Sequence, residues 1–441
     1  MSASEVTLSG RFESYLASLT SVFGHADRIE PLHDYCSGLL LPGERKSVEP
    51  IAAAVAPSRV SAKHQSLLHF VGQAGWSDAA VLAKVRELVL PSIERNGAIE
   101  AWIIDDTGIP KKGVHSVGVA RQYCGRLGKQ DNCQVAVTLS VANHAASLPV
   151  AYRLFLPDAW ADDPVRRNKT GIPQDVAFQS KPQIALDQVR QALADGIVPG
   201  VVLADAGYGN GGGFRATLTE LGLLYAVGIQ PNVTFWPPGQ EPLPPKPWSG
   251  RGRPTSRLQR SPEHAPLSAK ALAMSRISDF STVTWREGSD NDLTSRFARF
   301  RVRCAAGDFR KDTPHPVEWL LVEWPEDEDE PTKYWLSTLT EETELSTLVD
   351  MAKLRWRIER DYQELKSELG LAHFEGRGWR GFHHHATLTI AAYGFLICER
   401  AAFPPSEVKV RQNAPIPNRP KPRGAPNPAR TPRSKLNSHN P

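Results

Sequence analysis

Apolar positions change their period several times along the chain, and each change marks an element. Up to about residue 98 they recur at helical spacing, as in Phe12, Tyr15, Leu16 and Leu19 and again in Val81, Leu82, Val85, Leu88 and Val89, with turn signals at Pro42-Gly43 and Pro57. A helical N-terminal region is predicted. The apolar run that begins at Ala101 ends in Asp105-Asp106-Thr107-Gly108, and two further strands over 134–141 and 148–155 follow after short links, which predicts an antiparallel meander. Next come a helix over 181–195 closed by Gly196, a strand over 201–205 that again ends in an acid, a helix near 214–221 and a strand over 224–229.

From about 231 to 270 the pattern dissolves into a proline-rich, basic stretch with Lys246, Arg251, Arg253, Arg257 and Arg260 beside Trp248, which predicts an extended loop. Strands are predicted over 297–302, 317–322 and 334–338, with the acidic run Glu326 to Glu330 as a solvated loop between two of them. Residues 354–370 then read as one amphipathic helix. At about 100° per residue, Arg355, Glu359, Tyr362 and Lys366 share a stripe, whereas Glu364 falls about 180° from Arg355. Only one glutamate shares the basic stripe.

Composition narrows the function classes. The chain of 441 residues carries a net charge of +4, but residues 404–441 alone hold eight Lys or Arg against one acid, so the excess sits in a tail whose ten prolines predict disorder. No run of eighteen apolar residues and no signal-peptide pattern is present, so a cytoplasmic protein without membrane contact is expected. Five scattered cysteines, never spaced CxxC, argue against a disulfide framework and against a zinc site. Glycines 118, 125 and 128 do not follow the order strand, GxGxxG, helix that a dinucleotide site requires. Three adjacent histidines, His383 to His385, fan over about 200° of a helix and cannot all bind one ion.

The Arg-x3-Glu-x6-Lys pattern of Arg355, Glu359 and Lys366, with the segment 371–385 behind it, resembles the carboxylate helix of DDE-type insertion-sequence transposases. These belong to the RNase H-like (retroviral integrase) superfamily, and the group concerned has the signature Tyr-x2-Arg-x3-Glu-x6-Lys; Ala352 stands here at the tyrosine position. The resemblance spans roughly residues 44 to 400. It implies an α/β fold: an RNase H-like catalytic core, a mixed sheet flanked by helices, with a β-rich insertion before the catalytic helix and an N-terminal helical domain. The boundaries expected are 1–98 for an N-terminal DNA-binding domain, 99–230 and 334–403 for the two parts of the core, 231–333 for the insertion and 404–441 for the tail.

It also implies the site. Asp106, which precedes Thr107 as the family's first aspartate does, is expected with Asp205 of Asp-x-x-Tyr and with Glu359 to be both catalytic and metal-binding, holding two Mg²⁺ or Mn²⁺ ions. Asp105 is expected on the opposite face of its strand. Arg355, Lys366 and Tyr362 are expected at DNA beside the acids, Arg121 and Lys129 on a hairpin, and Arg45 and Lys46 in the N-terminal module. The function implied is cleavage of the element's ends and joining of the 3′-hydroxyl to target DNA by two-metal phosphoryl transfer. Its partners are double-stranded DNA, both terminal inverted repeats and target, with a homodimer on paired ends. Two other classes compete: a transposase-derived DNA-binding protein without catalysis, and a glycoside hydrolase with paired carboxylates.

Overall fold

The computed structural model describes residues 7–251, 256–286, 293–310 and 312–404, so the basic tail and Arg253 lie outside the described residues. Five helices open the chain: α1 (Leu8–Thr20), α2 (Ile29–Leu40), α3 (Val48–Val55), α4 (Val60–Gly72) and α5 (Asp78–Glu94). Then follow β1 (Ala101–Pro110), β2 (Ala120–Cys124), β3 (Lys129–Ala142) and β4 (Ser147–Leu154), the short helices α6 (Asp158–Ala161) and α7 (Pro164–Thr170), and α8 (Lys181–Ala194). A capping box at Ser180, whose hydroxyl accepts the Gln183 amide, starts α8 where proline at N2 permits it. The next elements are β5 (Val201–Ala204), α9 (Ala206–Gly209), α10 (Gly212–Glu220) and β6 (Tyr225–Ile229).

β3 pairs antiparallel with β1 and β4, and β1 pairs parallel with β5, which pairs parallel with β6. The order β4-β3-β1-β5-β6 therefore joins a three-stranded meander to two parallel strands, the RNase H-like arrangement of a mixed sheet flanked by helices.

The insertion extends this sheet. It contributes β7 (Thr234–Trp236), β8 (Leu267–Ser268), α11 (Ala269–Met274), β9 (Ser281–Arg286), β10 (Leu293–Cys304) and β11 (Val317–Trp324), and β12 (Lys333–Ser337) closes it against β6. One continuous sheet of twelve strands among the described residues results. Its added strands carry an apolar layer on each face, one around Phe300, Leu320 and Leu336 and one around Phe297, Leu321 and Trp335.

The chain returns through α12 (Leu345–Leu354), α13 (Arg357–Gln363) and α14 (Trp379–Ala402). Here the single helix predicted over 354–370 is corrected. The amides of Trp356, Ile358 and Glu359 bond back three residues, to Lys353, Arg355 and Trp356, so the helix tightens at Arg355-Trp356; it then widens into a π-turn over Glu364–Glu368. Backbone angles stay right-handed throughout, so no glycine or proline marks the change.

The N-terminal helices do not form a body of their own. Fifteen of the 24 residues of α14 are buried, and the first five helices wrap it within the same core that lies on the meander. The described residues up to Phe403 form one compact unit. No helix among them is long and apolar enough to cross a membrane.

Candidate active site

The acids meet where β1 parts from β5. Pairing of the two runs 101↔201, 102↔202 and 103↔203, so Asp105 and Asp205, each two positions further on, lie level at the fork. β1 does not end there; it continues to Pro110 against β3 alone, so its aspartates sit within a strand rather than at its end. Asp205 caps α9, its Oδ1 accepting the Gly207 amide at 2.9 Å. This turn lies tight on β6: a Cβ at Gly209 would strike the Gly228 carbonyl, and one at Gly228 would press on the Asp205–Ala206 backbone.

Arg355 is the hub of the site. One of its terminal nitrogens lies 3.0 Å from Asp105 Oδ2 and 4.0 Å from Asp205 Oδ2. Burial works against its charge, but Asp105, Asp205 and Glu359 together outweigh that cost and raise its pKa. Asp105 is buried, and burial pushes its carboxyl up to about 6, with Asp106 and Asp205 adding to the effect and Arg355 opposing it. Glu359 is exposed on α13, and its carboxylate has no hydrogen-bond or ion-pair partner among the described residues.

Asp106 stands elsewhere. Its carboxylate pairs with Lys181 at the start of α8, whereas Asp105 and its cross-strand neighbour Thr138 face Arg355 and Tyr362. Of the two aspartates it is Asp105, not Asp106, that the structure puts on the face of Arg355. Alternation along the strand was read correctly, but which parity faces the helix depends on register with β5. That register is a tertiary fact with no signal in the sequence. Lys181 was missed for the same reason, although the helix predicted over 181–195 starts with it.

Among the described residues no three His, Cys, Asp or Glu side chains stand close enough to hold a metal ion, and the expected three-acid cluster is not assembled in this structure. The Arg355 guanidinium lies between the aspartates instead. Two buried donors nearby lack acceptors: Arg355 Nε and the hydroxyl of Tyr208, whose pKa is raised by burial and by Asp106, Asp105, Tyr362 and Asp205.

The expected DNA contacts divide. Arg121 and Lys129 are exposed on the β2–β3 hairpin, Lys129 pairing with Asp131 at 3.2 Å. Arg45 is exposed and pairs with Glu375. Lys366 lies 5.2 Å from the centre of the Tyr362 ring. Two expectations are corrected. Lys46 is buried, its ammonium donating to the carbonyls of Leu39 and Leu41 at the end of α2, and Tyr362 is buried with its hydroxyl on Thr138. Both serve packing. The outer face of α4 offers Ser61, Gln65, Ser66 and His69, while its one lysine, Lys63, is buried between Glu30 and Asp34, so a basic recognition helix is not present there.

The neighbouring acids and histidines have structural partners. Glu364 pairs with Arg360 at 3.3 Å and Arg400 at 2.6 Å. His383 accepts the Leu154 amide, His384 stacks on Trp76 and meets Asp78, and His385 lies between Tyr35 and the Gly370 carbonyl, so the three diverge.

The family model of the DDE superfamily endonucleases matches residues 18–292, more than half of the chain. The chain belongs to this family. The match contains Asp105, Asp106 and Asp205 and stops short of Glu359. A probable transposase for insertion sequence element IS701 from Microchaete diplosiphon is 29% identical over 221 residues, 50% of this chain and 54% of that protein, so the chain spans about half the length of this relative. Among solved structures, a piggyBac transposase synaptic complex with hairpin DNA is 9% identical and the match covers 86% of this chain and 66% of that one, at a TM-score of 0.41.

Proposed function

We propose that this DDE-family chain is a DNA transposase that cuts the ends of its mobile element and joins the freed 3′-hydroxyl to target DNA, with Asp105, Asp205 and Glu359 as its acidic set. The placing of Asp105 and Asp205 on one guanidinium, that of Arg355, four residues before the exposed Glu359, supports the reading. An all-oxygen set suits a hard divalent cation such as Mg²⁺ or Mn²⁺. Asp205 spends one oxygen on Gly207, and Glu359 spends none among the described residues. Two such ions, when bound, stabilise the attacking and the leaving oxygens of an in-line displacement at phosphorus.

The chain's own residues supply the rest. Arg355 neutralises the aspartates while they lack a cation, and its partnerless Nε with the Tyr208 hydroxyl offers donors to a phosphate oxygen arriving beside them. Lys366 adds a positive charge further along the same helix. Asp106, held by Lys181, supports the strand rather than the chemistry. Arg121, Lys129 and Arg45 are the surface cations assigned to DNA, and the partners are the element's terminal repeats and target DNA, bound by a homodimer when two ends are paired.

The test uses duplexes taken from the DNA that flanks the coding region. Mg²⁺-dependent strand cleavage is expected at the terminal repeat, lost in Asp205→Asn and Glu359→Gln while binding persists. Undiminished cleavage by either variant would end this reading.

A further inference from the structure

The acids account for cutting but not for the choice of where to cut. Beyond Cys133, the partner of Pro110, β3 pairs with β2, so residues 120–124 and 129–133 form a two-stranded ribbon whose end folds against β1 at Gly108. A turn at Gly125–Leu127 closes it, with Gly128 at φ 63°, a left-handed position that favours glycine. β2 is the outermost strand of the sheet on this path.

The ribbon has two unlike faces. One, with Cys124, Cys133 and Val135, packs into a small apolar cluster against Phe155. The other carries Arg121 and Tyr123 on β2, with Gln130 directly across from Tyr123. All three are exposed, Tyr123 at 60%, and none has a side-chain hydrogen bond or ion pair among the described residues. Asn132, the cross-strand partner of Arg121, is committed to the carbonyls of Lys111 and Gly113. The outward face is therefore cationic, amide-bearing and aromatic, without an acid.

We infer that this ribbon enters the major groove of the element's terminal DNA and reads its bases, with Arg121 and Gln130 hydrogen-bonding to base edges and Tyr123 in contact between them. The major groove, about 12 Å wide, admits a two-stranded ribbon. Arg pairs in bidentate fashion with guanine and Gln with adenine, and the edges of both are offered there. Lys129, at the tip beside the exposed Leu127, then meets a phosphate.

The position of the reading site follows from the strand. β3 is unbroken from Lys129 to Ala142, and Thr138 is the residue paired with Asp105. The ribbon curls back over the far half of β1: a Cβ at Gly108 would press on Cys124, the cross-strand partner of Lys129, and Gly108 is three residues from Asp105. The bases read therefore lie close to the cut phosphate. The inference rests on the transposase reading, and it concerns specificity rather than chemistry.

The experiment measures binding of the full chain to a terminal-repeat duplex and to a scrambled duplex of equal length, for wild type and for Arg121→Ala, Gln130→Ala and Tyr123→Ala. The side chains are exposed, so equal thermal melts are expected. Loss of roughly ten- to a hundredfold in preference for the repeat is expected for Arg121→Ala, with scrambled binding much less affected. Methylation of a guanine N7 close to the cut should interfere with wild-type binding and not with the Arg121→Ala variant. An unchanged preference in both Arg121→Ala and Gln130→Ala would overturn the proposal. So would loss of dimer formation in place of base preference, which would make the free edge of β2 a seam between two copies. A wild-type protein that neither prefers nor cuts the repeat would instead defeat the transposase reading itself.

Discussion

Asp105→Asn should make the protein more stable and stop it cutting DNA. The reasoning starts from the carboxyl, whose pKa rises from an ordinary 3.8 to about 6 because burial, Asp106 and Asp205 together outweigh Arg355. A carboxyl whose folded pKa is raised binds its proton more tightly when folded. Stability from this group is therefore greatest below the ordinary value and is lost as pH rises through about 6. Near pH 8 the ionised Asp105 costs the fold on the order of 3 kcal/mol, at about 1.4 kcal/mol per pKa unit over about two units. Its side chain is 12% exposed, so solvent relieves little of this.

An asparagine keeps the shape and a carbonyl acceptor for Arg355 and discards the charge. Urea unfolding at pH 8 in EDTA should show Asp105→Asn to be more stable than wild type by about 2–3 kcal/mol, and the two should converge near pH 4. Asp106→Asn gives the contrast. Its pair with Lys181 is partly exposed on both sides, so its loss should change stability by at most about 1 kcal/mol. Asp361, buried and held by the hydroxyls of Ser147 and Tyr393, is also pushed up to about 6 and contributes the same sign in the same window, so some pH dependence will survive in Asp105→Asn. Destabilisation of Asp105→Asn at pH 8, or cleavage that survives in it and dies in Asp106→Asn, would refute the assignment.

Three more outcomes are expected. Glu359→Gln should leave urea stability within about 0.5 kcal/mol and abolish cleavage, whereas Glu364→Gln, which loosens the pairs with Arg360 and Arg400, should cost up to about 1 kcal/mol and still cut; the reverse pattern would put the site on the other face of the helix. Lys46→Ala should cost roughly 1–3 kcal/mol by stripping the carbonyls of Leu39 and Leu41 of their donor, with the salt dependence of DNA binding unaltered; a shallower salt slope would restore Lys46 to the DNA surface. Arg355→Ala should bind Mn²⁺ more tightly than wild type in the absence of DNA, read by electron paramagnetic resonance, because a guanidinium 3.0 Å from Asp105 no longer competes; weaker binding would show that Arg355 organises the acids instead.

What the sequence disclosed of the site, and what it hid, follows one physical line. Asp205 was legible because a buried parallel strand, an acid and a glycine-rich turn are consecutive residues. Glu359 could be told from Glu364 because both lie on one local helical period, and their surroundings do differ: one is exposed with no hydrogen-bond or ion-pair partner among the described residues, the other bound by two arginines. The choice between Asp105 and Asp106 was not legible, since both parities suit the strand and only the pairing of Ala101 with Val201 decides. The break at Arg355-Trp356 was hidden for a related reason: its residues remain right-handed and helix-compatible, and the break coincides with the residue that reaches for Asp105 across 250 positions of sequence.

The same distinction explains the N-terminal region. A helical region was predicted there from local periodicity, and five α-helices are found among the described residues, but a boundary near residue 98 does not separate a compact unit. The reason lies at the other end of the chain. Apart from its ends α14 is apolar nearly all round, and a helix of that kind is stable in water only when covered on every side. The meander covers one side through β4. The rest falls to the first helices: Tyr15 donates to the Ala391 carbonyl, Tyr35 meets His385, Asp78 meets His384 and Thr387, and Arg11 pairs with Glu399. Gly394 lies so close to Val85 and Val89 of α5 that a Cβ there would collide. Residues 8–94 are thus the outer wall of the catalytic core. At its other end α14 is tied to the turn that follows the helix carrying Glu359, for His385 holds the Gly370 carbonyl.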